Sequence, residues 1–235
     1  MKRLKGPPAY TGVENLEVMA EARNYNSWLV RRVLDHVRPG ARVLDFGAGS
    51  GTFADLIRRD GLDVTCIEPD PTLRRVLQQR GFEAMAELSD LPADRQFDLI
   101  YSLNVLEHIE DDAAAVQAIA RRVCAGGVLL IYVPAFAILF TAMDRRVGHV
   151  RRYRLHELTG LVRAAGLQVV GARYVDCLGF AATIAYRLLG DHNGGINRRA
   201  LQLYDRLVFP VSQQLDRIFG RLFGKNALVV SRRIA

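Results

Sequence analysis

Short apolar runs alternate along this chain with longer segments whose apolar positions recur every three or four residues. That alternation predicts parallel strands joined by crossover helices. Residues 42–46, 63–67, 97–103, 128–133 and 167–174 read as strands, 82–85 as a short edge strand and 227–231 as the last strand. Helices are predicted over 14–37, 50–59, 71–80, 111–124 and 155–165; Pro39-Gly40 closes the first and Gly166 the last. The run 128–133 is so uniformly apolar that both its faces should be covered. Seven strands in this order predict an α/β fold, a doubly wound Rossmann-like open sheet, in one domain spanning 1–235.

One stretch breaks the rhythm. The last two strands are separated by about 50 residues, 176–225, where a short connection is usual. Leu201, Tyr204, Val208, Val211, Leu215, Ile218 and Leu222 are spaced three and four apart, a heptad-type seam. Phe209, Phe219 and Phe223 widen it, Arg199, Arg206, Arg217 and Arg221 flank it, and Pro210 should kink or split the helix. The seam is expected to pack on its own sheet and wall a substrate pocket. A dimer contact and a basic element resting on an anionic membrane are the alternatives.

Half of the 235 residues are hydrophobic and 24% are charged, an ordinary balance for a globular protein. The longest apolar stretch, 128–140, contains Pro134 and falls short of the roughly 18 residues a membrane span needs. No secretory leader is evident at the start, so a cytoplasmic protein is expected. Cys66, Cys124 and Cys177 form neither a C-x-x-C pair nor a Cys/His cluster, and no metal site is expected. The net charge of +7 is uneven: residues 144–235 carry 16 Lys/Arg against 6 Asp/Glu, residues 1–143 carry 16 against 19. The basic half favours an acidic partner.

Three segments carry the chemistry. Residues 43–54 read VLDFGAGSGTFA, a strand running into a glycine turn that opens a helix. Gly47, Gly49 and Gly51, with Ala48 between them, allow a ligand to approach bare backbone. The spacing is G-x-G-x-G, with Thr52 where a dinucleotide fingerprint wants its third glycine. Asp45, just before the turn, suits a ligand bearing an ammonium group better than a pyrophosphate, which it would repel. Glu68, in CIEPD, ends the second strand, where a carboxylate can accept from both hydroxyls of a ribose. The third segment, FDLIYSLNVLEHIEDD, runs from a strand into a loop carrying Asn104, Glu107 and His108. Ligands of open sheets bind outside the carboxyl ends of the strands, so this loop faces the same crevice as the glycines.

Together these segments resemble class I methyltransferases that use S-adenosylmethionine (SAM), in particular their bacterial small-molecule branch. The resemblance extends through GGVLLIYVPAF and GHVRRYRLHELTGLVRAAGLQVV, roughly 40–175. It implies a mostly parallel sheet whose last strand is antiparallel, and SAM as cofactor. Gly47, Ala48, Gly49 and Gly51 would line the methionine part, with Asp45 near its ammonium. Glu68 would hold the ribose, and Pro69 and Asp70 would flank the adenine. Glu87 and Leu88 fall where such enzymes contact the adenine amine, Glu87 standing where an Asp is usual. Ser102, Leu103 and Asn104 would border the methyl donor.

Methyl transfer asks for positioning and, for some acceptors, a base. His108 and His149 are the candidates, imidazole being suited to neutral pH. Arg145, His149, Arg151, Arg152 and Tyr153, after the fifth strand, make a cationic, aromatic rim expected to bind the acceptor. Tyr25, on one face of the first helix with Asn24 and Trp28, is a further acceptor-site residue or simply packs. The acceptor is expected to be a small molecule, a glycan or a lipid-linked compound. Nucleic acid is disfavoured, because SLNVLE replaces the Asn/Asp-Pro-Pro-aromatic loop of base-amine methyltransferases. An NAD-linked oxidoreductase and a silent SAM-binding protein are the other readings.

Overall fold

The structure, a computed structural model, describes residues 18–189 and 197–234. The start of the first predicted helix and residues 190–196 of the insertion lie outside them. The seven strands are β1 (Val43–Phe46), β2 (Val64–Ile67), β3 (Glu83–Met85), β4 (Phe97–Leu103), β5 (Val123–Pro134), β6 (Gln168–Val175) and β7 (Asn226–Arg232). They form one sheet in the order β3-β2-β1-β4-β5-β7-β6. Strands β1 to β5 pair in parallel, and β7 runs antiparallel to both neighbours.

Successive residues of a strand point to opposite faces, and the two faces build two cores. Val128, Leu130 and Tyr132 of β5 join one, with Trp28, Leu29, Ile57 and Phe209. Leu129, Ile131 and Val133 join the other, with Val116, Ile119, Leu158 and Val162. The first core is roofed by helices α1 (Arg23–Leu34) and α2 (Thr52–Arg59), joined by Leu77 of α3 (Pro71–Gln79), which crosses from β2 to β3; the second is roofed by α4 (Asp112–Arg122) and α6 (Leu155–Ala164). A short helix, α5 (Ala142–Val147), forms inside the segment after β5.

The described part of the first predicted helix is interrupted at residues 21–22, and α1 starts at Arg23. Its free N–H groups are met from far along the chain: Asn24 N and Tyr25 N donate to Asp205 Oδ2 and Oδ1 at 2.9 and 2.8 Å. A helix N-terminus needs such acceptors, and no local side chain supplies one. Strand β5 begins earlier than its apolar run, at Val123, through a register shift between Phe97 and Leu99 of its partner.

The insertion holds α7 (Cys177–Leu189), α8 (Arg198–Leu203), a π-helical turn (Tyr204–Val208) and α9 (Phe209–Phe219). The π turn precedes Pro210, whose missing N–H a regular helix would need. It also inserts an extra residue per turn and rotates everything downstream. The heptad seam is thereby corrected. The buried face of α9 is Phe209, Ser212 and Asp216, while Val211, Ile218 and Leu222 are 52%, 70% and 69% exposed. The polar members of the buried face are satisfied. Asp216 accepts from Asp176 N (2.7 Å) and Cys177 N (2.9 Å), and Ser212 Oγ donates to Asp176 Oδ1 (2.8 Å). Within the insertion α9 packs on α7, with the hydrogen bonds of Asp176, Ser212 and Asp216 tying the two together; outward it meets β6 and α1, and Phe209 and Tyr204 reach the first core. Among the described residues no helix is long and apolar enough to cross a membrane.

Candidate functional site

The sheet order reverses between β1 and β4, and the crevice beyond their carboxyl ends is where such sheets bind ligands. The glycine turn leaves β1 here. Gly47 N and Ala48 N both donate to Ile67 O, at 2.8 and 3.1 Å, which ties the turn to the end of β2. Gly47 has φ +85°, and a Cβ there would stand 2.3 Å from Val105 Cγ2. Only glycine lets the turn pass under the loop after β4. Gly51 also has φ +85°, but its Cβ would meet Leu77 Cδ2 at 2.6 Å. Its smallness serves the packing of α3 against the start of α2.

The two acids behave differently. Asp45 is buried at 2% exposure, and its Oδ2 has no hydrogen-bond partner among the described residues. Burial pushes its carboxyl up to about 7. Glu68 is also buried, but both its oxygens are engaged: Oε2 accepts from Gly49 N at 2.7 Å and Oε1 from Asp70 N at 2.9 Å. It therefore holds the glycine turn to the end of β2. Each carboxylate oxygen keeps a further acceptor site for a hydroxyl.

The adenine side is more exposed. Pro69 lies at the surface, and Asp70 caps α3, its Oδ1 accepting from Thr72 N (2.8 Å) and Leu73 N (3.0 Å). Glu87 is exposed and precedes a short turn, Leu88–Asp90; its N–H donates to Asp90 Oδ2 at 3.0 Å, and Leu88 is half-buried. At the end of β4, Ser102 and Leu103 are buried, with Ser102 Oγ lacking a partner among the described residues. Asn104 turns the chain with φ +56°, its N–H donating to Tyr132 O at 2.7 Å.

These residues fit SAM. A buried carboxylate at Asp45, whose Oδ2 lacks a partner among the described residues, matches an ammonium, a bare glycine turn admits the amino-acid part, and Glu68 offers acceptors for ribose hydroxyls. The Asp45 observation decides the fit, because a pyrophosphate there would meet repulsion.

The other half of the crevice is formed by the loop after β4 and the segment after β5. Val150 N donates to Glu107 O at 2.8 Å and stitches them together. Glu107, His108 and His149 converge. The two imidazoles stand edge to face, centroids 4.7 Å apart, and His149 Nε2 is 3.8 Å from Glu107 Oε1. Glu107 is fully buried, and burial pushes its carboxyl up to about 8. Burial, with His149 beside it, pushes the His108 imidazole down to about 4. Behind His149, Nδ1 meets Asp144 Oδ1 at 2.7 Å, and Arg152 grips Asp144 through Nε (2.8 Å) and Nη2 (3.0 Å). Against the upward push of burial, these contacts hold Asp144 well below the usual carboxylate range.

The predicted rim divides. Arg145 is exposed and stays on it. Arg152, with its side chain 7% exposed, is spent on Asp144. Arg151 binds Asp112 Oδ2 (2.7 Å) and the Glu110 carbonyl (2.6 Å). Tyr153 is buried and donates to Asp112 Oδ2 at 2.7 Å. Arg151, Arg152 and Tyr153, expected at the acceptor, are engaged with Asp112 and Asp144 and build the wall that carries His149. Tyr25 lies half-buried with ring centroids 6.1 Å from Tyr132 and 5.5 Å from Phe209, and burial pushes its hydroxyl up to about 12. Sequence reasoning missed Asp144. Its only signal was an acid five residues before a histidine.

The strand order, the reversed last strand and the glycine turn facing a strand-end acid define the class I methyltransferase fold. Solved structures share it. A chain of the complex between the Haloferax volcanii Trm112 methyltransferase activator and the putative methyltransferase superposes with TM-score 0.66 at 17% identity, covering 95% of this chain and 96% of that one. A SAM-dependent methyltransferase from Archaeoglobus fulgidus gives 0.62 at 14%, covering 90% and 94%. The methyltransferase domain family profile matches residues 18–172. The chain belongs to that family, whose cofactor is SAM, and this settles the choice between SAM and a dinucleotide. Among curated relatives, the ubiquinone biosynthesis O-methyltransferase of Xylella fastidiosa is 37% identical over 101 residues, 39% of this chain and 41% of that protein. That of Xanthomonas campestris is 33% identical over 102 residues, 40% and 43%. The match thus spans about two fifths of these relatives.

Proposed function

We propose that this chain transfers a methyl group from SAM to a hydroxyl oxygen of a small-molecule acceptor. When bound, SAM supplies an electrophilic methyl on its sulfonium. The acceptor oxygen would take that methyl as the carbon–sulfur bond breaks, leaving the neutral thioether, and the hydroxyl proton would pass to the cluster of Glu107, His108 and His149. Asp45 would hold the ammonium, Glu68 the ribose, and the backbone from Gly47 to Gly49 the space between. Ser102 to Asn104 would set the acceptor's approach, and positioning would supply much of the rate.

The observation that carries the oxygen assignment is the cluster of Glu107, His108 and His149 beside this crevice, where a hydroxyl can shed its proton. The likeness to curated O-methyltransferases supports it. The basic second half of the chain favours an acceptor that also carries an acidic group.

The test is product analysis. The protein is incubated with methyl-labelled SAM and a matched panel of phenols, catechols, carboxylic acids, amines and glycans. O-methyl ethers of hydroxylated acceptors are expected. Product confined to amines or to carbon would overturn the reading.

A further inference from the structure

Three side chains meet on the acceptor side of the crevice for no reason that the sheet or the glycine turn supplies. We infer that Glu107, His108 and His149 form a binding site for a divalent transition-metal ion of the zinc class. One ligand atom of each lies within 4.8 Å of the other two. Glu107 Oε1 and His149 Nε2 stand 3.8 Å apart. Ligands of a tetrahedral ion with bonds of about 2.1 Å stand about 3.4 Å apart, so a small contraction closes this pair.

A second observation points the same way. Glu107 has no exposed surface, and neither carboxylate oxygen has a hydrogen-bond partner among the described residues. A buried carboxyl whose oxygens accept no hydrogen bond from another residue is unfavourable, and a cation shared with the two imidazoles beside it would supply that partner.

The surroundings orient the imidazoles as ligands. His149 donates Nδ1–H to Asp144 Oδ1 at 2.7 Å, which leaves Nε2 as the lone-pair nitrogen on the Glu107 side. Asp144 is itself fixed by Arg152 and by Thr141 N at 2.7 Å. His108 Nδ1 stands 3.3 Å from the Gly148 carbonyl, an acceptor of the same kind. A carboxylate or carbonyl behind the imidazole is the support that metal-bound histidines use.

Two imidazoles and one carboxylate suit Zn2+, Co2+, Mn2+ or Fe2+ better than Mg2+ or Ca2+, which take oxygen ligands. Three protein ligands leave coordination positions open, as catalytic sites do. On the O-methylation reading, an acceptor hydroxyl at such a position would lose its proton more readily. The absence of cysteine from the set is why cysteine spacing did not reveal it.

The test uses full-length, tag-free protein stripped with a chelator and titrated with Co2+. One equivalent should bind with visible d–d absorption and be displaced by Zn2+. Glu107→Gln and His149→Gln should each weaken binding at least about tenfold, and Asp144→Asn about 10–100-fold. His156→Gln, exposed on α6, should change nothing. SAM binding by calorimetry on the same samples reports folding, and His108→Gln replaces any variant that loses it. No Co2+ binding by SAM-competent protein, or binding indifferent to these substitutions, overturns the site. The two readings fail separately: cobalt bound without any O-methylated product sinks the proposed function alone, and O-methylation by protein that takes up no cobalt sinks the metal site alone.

Discussion

The carboxylate of Asp205 caps the helix that carries Tyr25, accepting from the Tyr25 N–H at 2.8 Å across 180 residues of chain. Its second oxygen takes the Asn24 N–H at 2.9 Å. The insertion is therefore the acceptor for the N-terminus of α1, and α1 lays Tyr25 and Trp28 against Tyr132 and Phe209. Replacing Asp205 by Ala should destabilise the protein by about 1–2 kcal/mol, the usual effect of losing a helix cap. Thermal unfolding measures it, and an unchanged midpoint would show that the cap does not hold α1.

Gly47 should tolerate no side chain. An added Cβ would meet Val105 Cγ2 at 2.3 Å in a backbone with φ +85°. Gly47→Ala is expected to weaken SAM binding at least about tenfold, because the turn must move out of the crevice. Val105→Ala in the same chain should restore part of the loss by clearing the clash but not the backbone strain. Calorimetric titration of the single and double variants separates the two effects.

Glu68 ties Gly49 to the end of β2 and would hold the ribose. Glu68→Gln keeps the shape but turns one acceptor oxygen into a donor facing an N–H, at Gly49 or at Asp70. SAM affinity should fall by about 1–3 kcal/mol. Affinity within twofold of the original would remove Glu68 from the cofactor site.

Asp45 gives a pH signature. Burial raises its carboxyl to about 7 in the folded chain, against about 3.9 when unfolded. The folded state binds the proton more tightly, so the contribution of this group to stability is present below about pH 4 and is lost as pH rises through 7. Asp45→Asn should therefore be more stable than the original at pH 8, by an amount that shrinks roughly 1.4 kcal/mol per pH unit on acidification between 7 and 4. The same variant should bind SAM more weakly at pH 8, having lost the carboxylate for the ammonium. Urea unfolding at pH 5, 6.5 and 8 tests the first expectation; a pH-independent difference between the two proteins would refute it.

Much of this was legible in the chain alone. The sheet's strands and the order of elements follow from apolar runs and helical periodicity, which are local and strong in β4 and in the buried run of β5. The glycine turn and Glu68 are local too, because a strand end and the next turn fix where their atoms lie. The insertion and the acceptor side were not local. The heptad spacing of 201–222 looked like a packing seam, but the π turn at Tyr204–Val208 rotated it, and Val211, Ile218 and Leu222 came to the surface. A π turn leaves no mark in hydrophobic periodicity. The arginines of 145–152 read as one rim, but Asp112 pairs with Arg151 and Asp144 draws Arg152 inward. Glu107, His108 and His149 are polar residues on two separate loops. Only the pairing of those loops, through Val150 N and Glu107 O, brings one buried carboxylate beside two imidazoles, because side chains distant in sequence meet only when the backbone has folded them together.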